Sequence, residues 1–230
     1  MRESQGAAVV IGAGDSVGAA AARAFAKSGL AVVPVRRQAD GLAALTQSIA
    51  AIGGKCLPVG ADARDPDAAM TLFDRVEREI GPVEVLVFNI GANAPRPGVD
   101  ESWSRYRDIW ESFTLAGVIS AHEASKRMLK HGKGTIIFTG VAAALRGAEG
   151  PAGGMAEKFV LRSVAQGMAR DLKPKNIHVV HAVIDTVRDL PGMGDTIPAD
   201  EIAAEFVRIH HLPPAAWVDE VDLRPGHAQG

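Results

Sequence analysis

The sequence predicts a doubly wound α/β fold, in which helices cover both faces of a parallel sheet. Three observations support this prediction. Short apolar runs alternate with longer alanine-rich stretches along the 230 residues, which is typical of alternating strands and helices. The apolar runs are nearly continuous, as in strands that are buried on both faces. A glycine-rich turn joins the first apolar run to the first helical stretch, as in many sheets of this class.

The elements are predicted in order from these runs. The seven strands are 7–11, 31–35, 55–59, 83–88, 134–139, 178–184 and 217–223. The helices are 16–28, 39–52, 66–80, 101–130, 153–172 and a short C-terminal helix at 199–209. Asp65-Pro66 is typical of an N-cap followed by the first helical residue, and Gly29 and Gly53 are typical of helix ends. Residues 1–230 are predicted to form one domain, whose last helix and strand occupy about 199–225.

Composition argues against several classes of protein. The net charge is −2, no basic tract stands out, and aromatic residues make up 5%, so we expect no nucleic-acid partner. The single cysteine, Cys56, rules out an internal disulfide and favours a cytoplasmic location. No stretch is typical of a signal peptide or a membrane span, and we expect no membrane partner.

The histidines do not have the spacing of a metal site. His178 and His181 are three residues apart on a predicted strand and therefore face opposite sides of the sheet. His210 and His211 are adjacent on a predicted helix, where their side chains diverge. We expect no bound metal.

The first turn contains candidate phosphate-binding residues. Gly12, Gly14 and Gly18 have the spacing G-x-G-x-x-x-G. A backbone without Cβ atoms can approach a pyrophosphate closely, and the N-terminus of the following helix favours an anion. The turn therefore predicts a nucleotide site, with a tight helix-packing turn as the alternative. The other predicted contributors are Asp15, Ser16 and Val17.

Charged residues follow the second and third predicted strands. Arg36 and Arg37 suit the 2′-phosphate of NADP(H), whereas an acidic residue would suit the ribose hydroxyl of NAD(H). NADP(H) is thus favoured, although Asp15 would repel that phosphate and both arginines could simply be solvated. Asp62 could accept a hydrogen bond from an adenine amino group, or it could stabilise the turn before Pro66.

Beyond these positions, the chain resembles the short-chain dehydrogenase/reductase family over almost its whole length. That family has T-G-x-x-x-G-x-G at the first turn, N-N-A-G after the fourth strand, serine after the fifth, and Tyr-x-x-x-Lys on the next helix. The corresponding residues are Ile11 to Gly18, Phe88-Asn89-Ile90-Gly91, Thr139-Gly140, and Gly154 with Lys158. The resemblance implies a single Rossmann domain with a seven-stranded parallel sheet that acts on alcohols and carbonyls, usually as a dimer or tetramer.

The resemblance also implies individual roles. Asn89, Ile90 and Gly91 would line the cofactor site, and Lys158 would bind the nicotinamide ribose. Gly154 occupies the position of the proton-donating tyrosine, whose pKa the family's lysine lowers. The family's Pro-Gly after the sixth strand is Asp185-Thr186, with Thr186 beside the cofactor.

Five further positions bear on catalysis or substrate binding. Thr139 could bind the substrate oxygen or could be a strand-ending β-branched residue. Asp185 could accept a proton or bind the carboxamide, or it could cap a loop. Thr114 occupies the position of an asparagine that helps hold a catalytic water in the family, and Arg146 and Glu149 could contact substrate or form a solvated pair.

The only tyrosine is assigned to packing. Its helix has an apolar stripe with three- and four-residue spacing, formed by Trp103, Tyr106, Trp110, Phe113 and Gly117. In relatives this helix often packs against its copy in a partner subunit, so a homodimer or homotetramer is expected.

Two functions therefore remain open. The first is an NADP(H)-dependent oxidoreductase that acts on an unknown alcohol or carbonyl through a non-standard proton route. The second is a catalytically silent dinucleotide-binding protein that serves as a sensor or a partner subunit. The altered tyrosine, serine and asparagine positions favour the second, whereas Lys158 and the cofactor motifs fit both.

Overall fold

In the computed structural model of the protein, the structure describes residues 5–14, 16–90, 102–141, 153–184 and 197–224, with only the backbone of 153–157. Seven parallel strands form one sheet in the order β3-β2-β1-β4-β5-β6-β7. They are β1 Ala7–Ile11, β2 Ala31–Arg36, β3 Val59–Gly60, β4 Val83–Phe88, β5 Gly134–Val141, β6 Ile177–Ile184 and β7 Glu220–Leu223. The predicted doubly wound fold class is confirmed.

Seven α-helices connect these strands within the described residues. They are α1 Val17–Lys27, α2 Ala43–Ala51, α3 Pro66–Glu79, α4 Trp103–Trp110, α5 Ala116–His131, α6 Gly153–Leu172 and α7 Ala199–His210. Asp65 caps α3 as predicted, since its carboxylate accepts hydrogen bonds from the backbone N–H groups of Asp67 and Ala68 at 2.9 and 3.3 Å. No helix in the described ranges is long and apolar enough to cross a membrane.

The core has two layers, one on each face of the sheet. Alternate residues of a strand point to opposite faces. Val9 and Ile11 of β1 therefore pack in the layer beneath α3, α5 and α6. Ala8 and Val10 pack in the layer beneath α1, α2 and α7. Both faces of the strands are buried, which explains their nearly continuous apolar runs.

The third and seventh strands differ most from the predicted ranges. The third was predicted at 55–59, but its ladder is confined to Val59–Gly60, with one isolated bridge between Val32 and Cys56. Pro58 lies between the two and has no N–H to donate to a neighbouring strand. The seventh was predicted to begin at 217, but a short 3₁₀ turn, Pro214–Ala216, precedes it and β7 begins at Glu220.

The predicted helix 101–130 is interrupted. A π-helical turn, Glu111–Leu115, separates α4 from α5, and Thr114 is buried within it. Spacings of three and four residues do not reveal a five-residue turn. π-turns of this kind are frequent at functional sites, and this one lies beside the family's asparagine position.

The interruption also divides the apolar stripe. Trp103 and Trp110 are 86% and 46% exposed, whereas Phe113 is buried. The backbone at Gly117 packs so closely on α6 that a Cβ there would lie 2.8 Å from the Leu161 side chain. The stripe is therefore part core and part exposed surface.

The two strand histidines lie on opposite faces of the sheet, as predicted. The His178 ring stacks on Trp217, with ring centroids 4.8 Å apart. Its Nε2–H donates a hydrogen bond to the carbonyl oxygen of Val218 at 2.8 Å. His181 lies on the α6 side, against Glu220. Within the described residues, no group of three or more His, Cys, Asp or Glu side chains is arranged to hold a metal.

Candidate functional site

The sheet places the candidate site between β1 and β4. Strands are added in one direction from β1 to β3 and in the other from β4 to β7. Ligands of open α/β sheets bind outside the carboxyl ends of the strands at such a reversal. Ile11 and Phe88 are register partners at these two ends, so the glycine turn and the segment from Asn89 begin side by side.

The structure requires glycine at two of the three turn positions. Gly12 has φ +81°, in the left-handed region, and a Cβ there would lie 2.5 Å from the Asn89 carbonyl oxygen. A Cβ at Gly18 would lie 2.3 Å from the Gly12 carbonyl oxygen. Both contacts are with backbone atoms, which cannot rotate away. Gly12 and Gly18 thus bring the first turn, α1 and the end of β4 together.

Gly14 differs from the other two. A Cβ at this position would meet no atom of the described residues within 4 Å, so their packing does not require a glycine there. Among those residues, the space beside the Gly14 backbone is open. A glycine without a packing reason is what close approach to a pyrophosphate requires.

The start of α1 supplies the second feature of an anion site. The helix begins at Val17, its N-cap Ser16 makes no side-chain capping bond, and its first turn contains no acidic residue. The first N–H groups of a helix have no partner within the helix and carry partial positive charge. Together with the open backbone at Gly14, they fit the pyrophosphate of a dinucleotide.

Asn89 links the two strand ends. Its backbone N–H donates to the Ile11 carbonyl at 2.8 Å, and its side-chain Nδ2 donates to the Gly12 carbonyl at 3.1 Å. The asparagine therefore fixes the shape of the glycine turn. Its amide group is used for this contact within the protein.

The two candidate 2′-phosphate arginines lie side by side at the end of β2. Arg36 is the last residue of that strand, and its guanidinium donates to the Gly41 carbonyl at 3.0 Å. Arg36, Arg37, Gln38 and Gly41 line an open cavity of about 440 Å³. The cavity presents two cationic side chains beside the glycine turn.

Asp62 is engaged by a neighbouring arginine. The Arg64 guanidinium donates to both carboxylate oxygens, at 2.6 to 3.0 Å, and the Arg64 backbone N–H donates to Oδ1 at 3.0 Å. These bonds to Arg64, together with the charges of Arg64 and Arg37, lower the pKa of Asp62. The carboxylate holds its own turn and stays ionised beside Arg37.

Lys158 is anchored at the carboxyl ends of the central strands. It lies on α6, its exposure is 3%, and its Nζ donates to the carbonyl oxygens of Ile90 at 2.6 Å and Thr139 at 2.9 Å. Burial lowers the pKa of Lys158 to about 8. The ammonium thus connects the segment after β4 with β5.

Thr139 lies inside β5 rather than at its end, because the strand continues to Val141. Its side chain is buried, and its hydroxyl donates to the Phe88 carbonyl of the neighbouring strand at 3.2 Å. The hydroxyl proton is therefore used within the sheet. The contact between Thr139 and Lys158 is made through the threonine carbonyl.

A charged cluster that the sequence reasoning missed lies behind Lys158. Arg162, one helical turn further along α6, pairs with both carboxylate oxygens of Glu220 on β7 at 2.5 and 2.9 Å. Glu220 also contacts His181 Nδ1 at 3.3 Å. The spacing of Lys158 and Arg162 places both on one face of α6, which was the available signal. Glu220, the acidic partner of Arg162, is far away in sequence on β7.

Several predicted residues lie outside the described ranges. They are Asp15, Gly91, Arg146, Glu149, Asp185 and Thr186. Gly154 lies in α6, one turn before Lys158, and is described by its backbone. The described part of the site thus brings together Gly12, Gly14, Asn89, Ile90, Thr139 and Lys158.

A family model and curated relatives agree on one protein family for this chain. Residues 6–196 match the family model described as short chain dehydrogenase. The short-chain reductase protein NovJ of Streptomyces niveus is 30% identical over 201 residues, which cover 85% of this chain and 72% of that protein.

Other relatives match over smaller shares of their length. A short chain dehydrogenase of Pseudocercospora fijiensis is 38% identical over 103 residues, or 45% of this chain and 33% of that protein. The 1-deoxy-11-beta-hydroxypentalenate dehydrogenase of Streptomyces exfoliatus is 29% identical over 176 residues, or 75% of this chain and 64% of that protein. The chain therefore spans less than two thirds of these two relatives.

Solved structures match over nearly the whole chain. The crystal structure of a short-chain dehydrogenase from Rhodopseudomonas palustris has a TM-score of 0.84 and 38% identity, covering 96% of this chain and 98% of that one. A metagenomic short-chain oxidoreductase in complex with NADP also has a TM-score of 0.84, at 24% identity, covering 96% of this chain and 97% of that one. The second likeness concerns the fold alone.

Proposed function

Because this chain belongs to the short-chain dehydrogenase family of oxidoreductases, we propose that it binds NADP(H) and interconverts an alcohol and a carbonyl substrate through a proton route without the family's tyrosine. The observation that supports this most strongly is the buried ammonium of Lys158. It bonds to the carbonyls of Ile90 and Thr139 at the strand ends beside the glycine turn. An enclosed cation is expensive to keep, and a fixed position beside substrate and cofactor is a reason to keep it.

Each described residue has a task in this function. The backbone at Gly14 and the start of α1 hold the pyrophosphate, and Asn89 keeps the turn in shape. The carbonyl oxygens of Ile90 and Thr139 hold the ammonium of Lys158 in a fixed position at the reacting end of the site. When bound, the nicotinamide supplies or accepts the hydride. Positioning of the two reactants then contributes much of the rate.

The preference for NADP(H) follows from the arginines after β2. We expect NADPH to bind more tightly than NADH, and Arg37→Ala to weaken NADPH binding by roughly 10- to 100-fold, as expected for a lost charge-assisted hydrogen bond. NADH binding should hardly change, because NADH has no 2′-phosphate. Titration of cofactor fluorescence measures both affinities.

A matched control for Arg37→Ala is Arg75→Ala on α3. Arg75 pairs with Glu79 on the same helix at 3.0 Å and should leave both affinities unchanged. If Arg37→Ala weakens NADH and NADPH equally, the arginine does not recognise the 2′-phosphate. Tighter binding of NADH than NADPH by the unmodified protein would contradict the preference itself.

The second candidate function is a silent dinucleotide-binding protein, and the glycine at position 154 favours it. The two are separated by following NADPH oxidation across a panel of aldehydes and ketones after binding has been measured. Turnover supports the oxidoreductase. Tight NADPH binding without turnover on any carbonyl supports the silent protein, and failure to bind either cofactor contradicts both.

We also expect the chain to form a homodimer or homotetramer. Trp103 and Trp110 on α4, Leu115 and Val118 on the following turns, and Phe159 on α6 are large apolar side chains with 37 to 86% exposure. Several apolar side chains exposed on neighbouring helices are typical of an interaction surface. A second copy is the partner that the family resemblance favours.

Light scattering during size-exclusion chromatography tests this assembly. We expect a mass of two or four times 24.0 kDa and a shift toward the monomer for Val118→Glu, which would bury a charge in the interface. Ile52→Glu is the control, because Ile52 is also exposed, at 44%, and follows α2 on the opposite face of the sheet from α5. A monomeric unmodified protein would contradict the expected assembly.

A further inference from the structure

Two of the three N–H groups of the Lys158 ammonium are hydrogen-bonded to described residues, and the third is left to exchange a proton. An ammonium has three N–H donors, and within the described residues two of them bond to carbonyl oxygens, those of Ile90 and Thr139. Carbonyl oxygens only accept hydrogen bonds, so a neutral amine keeps both contacts. The third position can then carry a proton or a lone pair without any movement of the side chain.

The surroundings of Lys158 contain no uncompensated opposite charge in the described part of the chain. Its two described partners are neutral carbonyls. Behind it, Glu220 on β7 is neutralised by the paired guanidinium of Arg162 on α6. The pKa of His181 on β6 is lowered, first by burial, so its ring is neutral at pH 7.

The cost of enclosing the ammonium is therefore not offset by a carboxylate. Desolvation favours the neutral form of a lysine, in agreement with the pKa of about 8. A group that titrates close to the working pH is suited to donate and to accept a proton.

Resting on the proposed function, we propose that Lys158 itself exchanges the proton with the substrate oxygen, in place of the tyrosine that Gly154 replaces. In carbonyl reduction, hydride reaches the carbonyl carbon from the reduced nicotinamide, and the carbonyl π pair moves to oxygen. That oxygen takes a proton from Lys158 Nζ, which leaves the amine neutral and still bonded to Ile90 and Thr139. Water then returns the proton to the amine, and alcohol oxidation follows the same steps in reverse.

The first test needs no substrate. Protein labelled with ¹³C at lysine Cε is titrated by NMR, and the Lys158 signal is assigned by its loss in Lys158→Arg. We expect this signal to titrate near pH 8, whereas exposed lysines titrate near their ordinary value of about 10.4. A Lys158 signal that titrates with the exposed lysines would overturn the proton role without bearing on NADPH binding.

The second test uses chemical rescue. Lys158→Ala should reduce carbonyl turnover by roughly 100-fold or more, the usual contribution of a general acid. Added methylamine should restore part of it by donating a proton from the vacated volume. Tetramethylammonium has the same charge and no N–H, so it should restore nothing.

The outcomes of rescue are distinct. Rescue by methylamine alone supports the proton role. Equal rescue by both cations, or rescue by neither, shows that Lys158 contributes charge or packing and overturns the role. Circular dichroism and NADPH titration of Lys158→Ala establish that the variant is folded, and an unmodified protein that turns over no carbonyl contradicts the proposed function itself.

Discussion

Replacing Gly14 with alanine should weaken NADPH binding about 10-fold or more, which corresponds to a loss of about 1.4 kcal/mol or more in binding free energy, while leaving the stability of the fold unchanged. A Cβ at Gly14 meets no atom within 4 Å in the part of the chain that the structure describes, so we expect the fold to accommodate it. The added methyl group would stand where the pyrophosphate approaches the backbone. Fluorescence titration and thermal unfolding measure the two effects separately.

Gly12→Val should instead disrupt both properties. The residue has φ +81°, which costs a β-branched side chain about 1–3 kcal/mol. Its Cβ would also lie 2.5 Å from the Asn89 carbonyl oxygen. We therefore expect a lower melting temperature together with loss of NADPH binding.

Gly167→Ala is the matched control for both variants. Gly167 lies inside α6, and a Cβ there also meets nothing within 4 Å. Alanine should stabilise this helix by about 0.5–1 kcal/mol and leave NADPH binding unchanged. If Gly14→Ala binds NADPH as tightly as the unmodified protein, the turn does not hold the pyrophosphate.

Arg127→Met should destabilise the protein by about 3 kcal/mol, the lower range for breaking a buried ion pair. Arg127 lies on α5 with a side chain 6% exposed, pairs with the buried carboxylate of Glu123, and reaches Asp74 on α3 at 2.5 Å. Its guanidinium also lies over the Phe73 ring, 5.8 Å from the centroid. Methionine retains the apolar stem but leaves Glu123, among the described residues, with only the exposed side chains of Lys126 and His122 as partners.

Urea unfolding at pH 7 measures this effect. Lys130→Met is the control, because Lys130 on the same helix also pairs with an acid of α3, Glu77, but its side chain is 59% exposed. Its loss should cost less than about 1 kcal/mol. The double variant Arg127→Met, Glu123→Leu should recover much of the stability, and equal losses in the Arg127 and Lys130 variants would contradict the difference in burial.

The success and failure of the sequence predictions have physical reasons. The doubly wound parallel sheet could be predicted, because buried parallel strands are nearly continuous apolar runs and crossovers are right-handed. The third strand was misjudged because the apolar pattern gave too little weight to the missing N–H of Pro58. The predicted helix 101–130 was not recognised as interrupted, because no proline or glycine marks the π-turn Glu111–Leu115 in the sequence.

The sequence likewise identified some features of the candidate site and missed others. Gly12, Asn89 and Lys158 were found by local motifs, because a turn and a helix have fixed spacings. The engagement of Asp62 by Arg64 lies within two residues, but no pattern in the sequence distinguishes it from a carboxylate that is open to a ligand.

By itself, the sequence determined the fold class, the position of the glycine turn and the presence of a lysine without its tyrosine. These depend on hydrophobic periodicity and on backbone chemistry that acts over a few residues. Only the tertiary structure decided that Gly14 is open while Gly12 is packed against Asn89, and that Lys158 is enclosed between two carbonyls. Burial and contact depend on chain segments as distant as Ile90 and Lys158, and it is burial that sets the pKa of the lysine.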